Sequence, residues 1–297
     1  MPLADRHLPI LVTGAAGLLG QDLGPALAAA APDPSAVHLT DVADLDVTDS
    51  GAVADAMGRL RPRTVINLAA WTDVDGAESH PAAARRLNVE APGLLARAAA
   101  EAGALLVHIS TDFVFGGEGE EPCVEDDPPA PRGVYAETKC DGETAVRDAA
   151  PDRHVIARTA WLYGAGGRNF VDAVLARGRE GKPLRVVTDQ VGCPTWSADL
   201  ARALVAIVAA DLRGTVHACG AGAAARWDLA VAALRAAGID ATPEKITTAD
   251  LPTGGAPRPA RSVLSCDRLA REAGFRFPPW QESVRRYVRG EGPAGHA

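Results

Sequence analysis

Aromatic residues make up only 4% of this 297-residue chain, so Ala, Val and Leu must fill most of any core. Long apolar runs are missing too. The run Ile10 to Val12 stops at Thr13-Gly14, and the Ala-rich stretch from Ala26 to Ala31 ends at Pro32. A membrane helix needs roughly 18 or more apolar residues, so no membrane partner is expected. The opening residues, Met1 to His7, are too polar for a signal peptide. CxxC pairs are absent. The five cysteines (Cys123, Cys140, Cys193, Cys219 and Cys266) are scattered and odd in number. Neither a disulfide framework nor a zinc site is expected, and a reducing cytoplasm is the expected location. Basic runs are lacking as well. A net charge of -8 and a pI near 5.4 argue against a nucleic-acid partner. What is present is an ordinary globular composition, 47% hydrophobic and 23% charged.

Short apolar runs alternate with helical patterns. Strands are expected at Ile10 to Val12, Val37 to Thr40, Thr64 to Leu68, Leu105 to Ser110 and His154 to Arg158. Helices are expected between them, with a bend at Pro92-Gly93 in the region from Pro81 to Ala102. Such alternation predicts an α/β fold, a Rossmann-type doubly wound parallel sheet covered by helices. A dinucleotide-binding domain is expected over residues 1–158, with strands from about 184–220 returning to it. A smaller α+β substrate domain is expected over 159–183 and 221–297. The Gly/Pro-rich segment from Phe115 to Gly133 reads as a long functional loop.

Gly14, Gly17 and Gly20 follow the first strand and open a helix with GxxGxxG spacing. Gly14 permits a tight turn, Gly17 a close approach of backbone to a pyrophosphate, and Gly20 close helix–strand packing. The helix N-terminus at Leu18 and Leu19 offers free N–H groups to phosphate. Asp41 ends the second strand, about 20 residues on, where a carboxylate meets the ribose hydroxyls of a dinucleotide. No Lys or Arg lies between Asp33 and Asp55, so NADH is favoured over NADPH. Asp46 and Val47 follow, within reach of the adenine. Tyr135 and Lys139 stand at i and i+4 on one helix face. Thr111 ends the strand upstream. A Lys charge would lower the phenol pKa, the phenol would protonate a carbonyl oxygen, and the Thr hydroxyl would polarise it.

With these motifs the chain resembles the extended short-chain dehydrogenase/reductases and, within them, the dTDP-4-dehydrorhamnose reductase family. The resemblance also rests on Asn67 to Asp75 with Glu78, Ser110 to Phe115, Tyr135 to Glu143, Arg158 to Gly164, Asp189 to Thr195, and Arg258-Pro259. It implies NADH- or NADPH-dependent reduction of the C4 ketone of a dTDP-linked 4-keto-6-deoxy sugar. It implies catalytic roles for Thr111, Tyr135 and Lys139, with Lys139 also holding the cofactor. Ala69 and Ala70 would line the cofactor cleft. Thr72, Val74, Asp112, Trp161 and Gln190 would face the sugar, and Arg258 the diphosphate or nucleotide. Some members carry a magnesium site at a dimer contact, so a homodimer is an expectation. No matching acidic set is evident, and no metal is expected. Alternatives are another sugar-nucleotide enzyme, an epimerase or dehydratase, and a non-catalytic subunit like the regulatory subunit of methionine adenosyltransferase. The last would not require Thr111, Tyr135 and Lys139 together.

Overall fold

The structure is a computed structural model that describes residues 2–117 and 119–292. Six parallel strands form its large sheet. They are β1 (Ile10–Thr13), β2 (Val37–Leu39), β3 (Thr64–Asn67), β4 (Leu105–Thr111), β5 (His154–Thr159) and a last strand, Gly214–His217. Their order is Gly214–His217, β5, β4, β3, β1, β2. The Val- and Ile-rich strands are buried on both faces, as their near-continuous apolar runs require. One face packs on helix α1 (Leu18–Ala30) and the helix Ser197–Ala209. The other packs on α2 (Ser50–Leu60) and the helices Ala91–Glu101 and Val134–Ala149. Alanine supplies much of both layers, which offsets the shortage of aromatics. β1 lies next to the β2 edge, and the order reverses there: the chain leaves β1 for β2 on one side, then crosses back from β2 to β3 on the other. The carboxyl ends of the strands open there into a crevice.

Three expectations need correction. The strand at 184–187, observed as Arg185–Val187, does not return to the large sheet. It pairs with Glu244–Ile246 in a separate two-stranded sheet, because Leu184 and Val186 bury against Ala230 and Leu234 instead. Conversely, Leu269, Ala273, Phe275 and Phe277, assigned by sequence to the substrate domain, pack into the core of the large sheet. The bend expected at Pro92-Gly93 is replaced by a π-helical turn, Arg86–Glu90, just before it. Pro92 then falls in the first turn of Ala91–Glu101, where a missing N–H is tolerated.

Candidate active site

At the forked end of the sheet, Thr13 Oγ1 donates to Asn67 Oδ1 at 2.7 Å. The loops leaving β1 and β3 are thereby pressed together. Gly14 has φ +68°, and a Cβ there would stand 2.7 Å from the Ala69 nitrogen, so glycine is required twice over. A Cβ on Gly20 would stand 2.2 Å from the Ala15 oxygen, so α1 lies directly against its own entry loop. Gly17 precedes α1 and no side chain caps it, which leaves the first-turn amides facing the cleft. Asp41 accepts from Ala16 N at 2.8 Å and Val42 N at 2.7 Å. It fixes the glycine loop while remaining on the cleft wall beside Asp46 and Val47. Arg86 lies within electrostatic reach of Asp46, a cation that the local sequence concealed.

Thr111 ends β4 and accepts from Phe113 N at 3.2 Å. Its proton lies toward Asp112 Oδ1 at 3.1 Å, and a hydrogen bond between its hydroxyl and the Tyr135 phenol favours the phenolate. Tyr135 sits in the first turn of Val134–Ala149, edge-on to Phe113 at 5.4 Å. Glu78 anchors that helix by accepting from Val134 N at 2.9 Å. Burial pushes the Tyr135 phenol up to about 12. This corrects the expectation that Lys139 pulls it down, because Lys139 turns inward and donates to the Ile109 oxygen at 2.7 Å. Burial brings Lys139 itself down to about 8. Behind it, Ala69 N donates to Asn67 Oδ1 at 3.1 Å, so the Asn67 amide NH₂ must face His108 Nδ1, also at 3.1 Å. His108 then carries its proton on Nε2, which points at Lys139 Nζ 3.4 Å away and further disfavours an ammonium.

The sugar side departs most from expectation. Asp112 is buried and its oxygens are occupied, by Thr111 and by the Ser262 hydroxyl. Burial raises its carboxyl to about 6. Gln190 donates to Thr248 Oγ1 at 3.1 Å. Trp161 has φ +46°, a strained conformation for a bulky side chain. One side of its ring presses on Gly192, and the Arg226 guanidinium covers a ring face at 3.6 Å. Arg258 is committed bidentately to Asp75, at 2.6 and 2.8 Å, and donates to the Ala256 oxygen at 2.7 Å.

Every residue singled out by sequence, Thr72, Val74 and Ala70 included, lines one cleft of about 1770 Å³. That exceeds the roughly 300–1,000 Å³ of a single small-ligand site and leaves room for two large ligands end to end. The residues fit a dinucleotide, with glycines where a Cβ would fill the cradle and open amides at a helix N-terminus. Thr159 Oγ1, on the wall beside Thr111, is buried with no hydrogen-bond partner among the described residues. Sequence reasoning gave no role at the site to Thr159, His108, Ser262 or Arg226. Only the β4–β5 pairing of Thr111 with Thr159 could have been guessed from strand register.

Known proteins match this arrangement over nearly the whole chain. A dTDP-4-dehydrorhamnose reductase of Streptomyces griseus is 45% identical over 263 residues, covering 87% of this chain and 86% of that one. A dTDP-4-keto-6-deoxy-D-glucose reductase of Streptomyces niveus is 41% identical, covering 92% of each. A dTDP-4-dehydrorhamnose reductase of Bacillus anthracis, solved with NADP, superposes with a TM-score of 0.89 at 31% identity, covering 95% of this chain and 99% of that one. The model of the RmlD substrate binding domain matches residues 8–291, and the chain belongs to that family.

Proposed function

We propose that this chain reduces the C4 ketone of a dTDP-linked 4-keto-6-deoxy sugar, using NADH or NADPH. The observation that carries the reading is the convergence of Thr111, Tyr135 and Lys139 on the cleft that the glycine loop opens. The names of the relatives support the substrate class, and the NADP-bound relative supports the cofactor class. Gly14, Gly17, Leu18, Leu19 and Gly20 would hold the dinucleotide's phosphates, Asp41 its ribose, Asp46 and Val47 its adenine side, and Ala69, Ala70 and Lys139 its nicotinamide end. The reduced nicotinamide supplies the hydride. Residues 1–158 provide most of that half of the cleft. Segments beyond 159 provide much of the sugar half, where Trp161 and Gln190, together with Thr72 and Val74 from the first part of the chain, would border the substrate.

Tyr135 donates its phenolic proton to the C4 oxygen as the carbon is reduced. Thr111 polarises that oxygen by turning its own proton from Asp112 to the ketone. The phenolate left on Tyr135 is disfavoured by burial, and Lys139 would offset that cost by turning its ammonium from the Ile109 oxygen toward the phenol. The five free cysteines are in keeping with a reducing cytoplasm. No helix among the described residues is long and apolar enough to cross a membrane.

Incubation with NADH or NADPH and a panel of dTDP-4-keto sugars, with product analysis, tests the reading. Tyr135→Phe should fold and bind cofactor yet lose at least about 10²-fold in kcat. Wild-type turnover by that variant would sink the mechanism.

A further inference from the structure

We infer that Arg226, rather than Arg258, receives the diphosphate of the substrate, an assignment that rests on the sugar-nucleotide reading above. The cleft of an acidic protein must supply its own cation to a ligand carrying two phosphates. Four arginines line it: Arg168, Arg185, Arg226 and Arg258. Arg258 is already neutralised by Asp75. Arg185 faces Glu244 at 3.5 Å and is well exposed. Arg168 is exposed and hydrated, so an anion would gain little there.

Arg226 differs from all three. Its guanidinium lies 3.6 Å over the Trp161 ring and 5.2 Å from the Phe170 ring, so the indole covers one face and the phenyl ring stands nearby. Among the described residues it has no hydrogen-bond acceptor and no carboxylate within ion-pair distance. A desolvated cation without a partner is costly unless a ligand supplies the charge. Burial draws it down to about 10, against the pull of Asp112. Stacking leaves the N–H edges of the fork free, and it immobilises the side chain before any ligand arrives. That is the arrangement suited to bidentate phosphate contact.

Its neighbours also suit the ligand. C4 and C1 lie on opposite sides of one pyranose ring, so the phosphate on C1 falls one ring's breadth from Thr111 and Tyr135. Arg226 interacts electrostatically with Asp112, the neighbour of Thr111, and with Arg258 beyond. The backbone sets this position. Arg226 N donates to the Gln190 oxygen at 3.1 Å, and Ala224-Ala225 pair with Val191-Gly192 just before it.

Calorimetric titration of wild type, Arg226→Met and Arg226→Lys with dTDP, thymidine and NADH separately tests the assignment. Arg226→Met keeps an apolar side chain on Trp161 and removes the charge. It should weaken dTDP binding by about 10- to 150-fold, leave thymidine and NADH affinities unchanged, and so collapse the advantage of dTDP over thymidine. Arg226→Lys should fall between. Unchanged dTDP affinity in Arg226→Met overturns the assignment. So does parallel loss for all three ligands, which marks a structural role, or loss for NADH alone, which gives the guanidinium to the dinucleotide. A wild-type protein that binds NADH but not dTDP overturns the sugar-nucleotide reading itself, and this assignment with it.

Discussion

Lys139 carries its amine into surroundings that disfavour charge, and its protonation should be visible in the rates. Burial lowers it from 10.5 to about 8, with Glu143 pulling the other way. It is therefore charged below about pH 8 and neutral above. If the ammonium offsets the Tyr135 phenolate, kcat/KM for ketone reduction falls as pH rises through about 8. Lys139→Arg keeps its charge and should move that limb upward; a limb that stays in place would give it to another group. The stability sign is the reverse. Between about 8 and 10.5 the unfolded chain binds more protons at this site, so this group's contribution to stability rises with pH there. Asp41 offers a second test at the same scale. It would accept from ribose hydroxyls and repel a 2′-phosphate, so NADH should be used at least as well as NADPH. Asp41→Asn keeps a side chain of the same size beside the glycine loop and removes the charge. The ratio of kcat/KM for NADPH over NADH should then rise by about tenfold or more, the scale of one hydrogen bond to a charged group. An unchanged ratio would show that selection lies elsewhere, with Arg86 the nearest cation to examine.

Two segments distant in sequence are fastened to each other, the second of them reaching the cleft at Pro257 and Arg258. Residues 115–117 and 119–133 run beside 257–264: Cys123 N donates to the Val263 oxygen at 2.8 Å, and a Cβ on Gly117 would stand 2.8 Å from Ala260 N. The Asp75–Arg258 pair ties residues 251–258 to the short helix Val74–Ser79, and that arginine holds the Asp75 carboxyl at about 2. On the proposed reading, Arg258 would act on substrate through the loop it latches. Arg258→Ala and Asp75→Ala should raise the KM for the keto sugar by similar factors, roughly 5- to 30-fold if a half-exposed pair contributes about 1–2 kcal/mol. The double variant should add little to either, because both remove one interaction. If Arg258 met phosphate directly, Asp75→Ala would leave that contact intact, and binding would hold or tighten.

The whole molecule is held together behind the site by one buried charge cluster. Glu143 accepts from Ser110 Oγ at 2.6 Å, from Arg158 Nε and Nη2 at 2.9 and 2.7 Å, and from Arg147 at 2.7 Å. Arg158 also lies over the Phe115 ring at 5.0 Å. β4, β5, the helix bearing Tyr135 and Lys139, and the loop after Thr111 meet at this point. Glu143→Ala leaves Arg158 buried without its carboxylate, at a cost of about 3–5 kcal/mol. For a chain of this size that is a fall of about 6–20 °C in Tm. A change of only a degree or two in calorimetry would mean that water or another acid replaces the carboxylate.

The sequence by itself determined what depends on near neighbours. Glycine spacing after β1, the i, i+4 placement of Tyr135 and Lys139, and the strand–helix alternation follow from turn and helix geometry, which a few residues settle. The parallel sheet followed from that alternation. Which strand joined which sheet did not: Arg185–Val187 reads like any buried strand, and only the competition for apolar contact under Ala230 and Leu234 sends it to Glu244–Ile246. The same holds for charge. Sequence shows that Arg226 and Arg258 are cations, and that Tyr135 and Lys139 are titratable. Only the tertiary structure decides that Arg258 meets Asp75 while Arg226 stacks on Trp161 with no carboxylate partner among the described residues, and that burial separates Tyr135 from its expected acidity. Ion pairing and desolvation depend on which distant segments share a few ångströms of space, and local spacing carries no record of that.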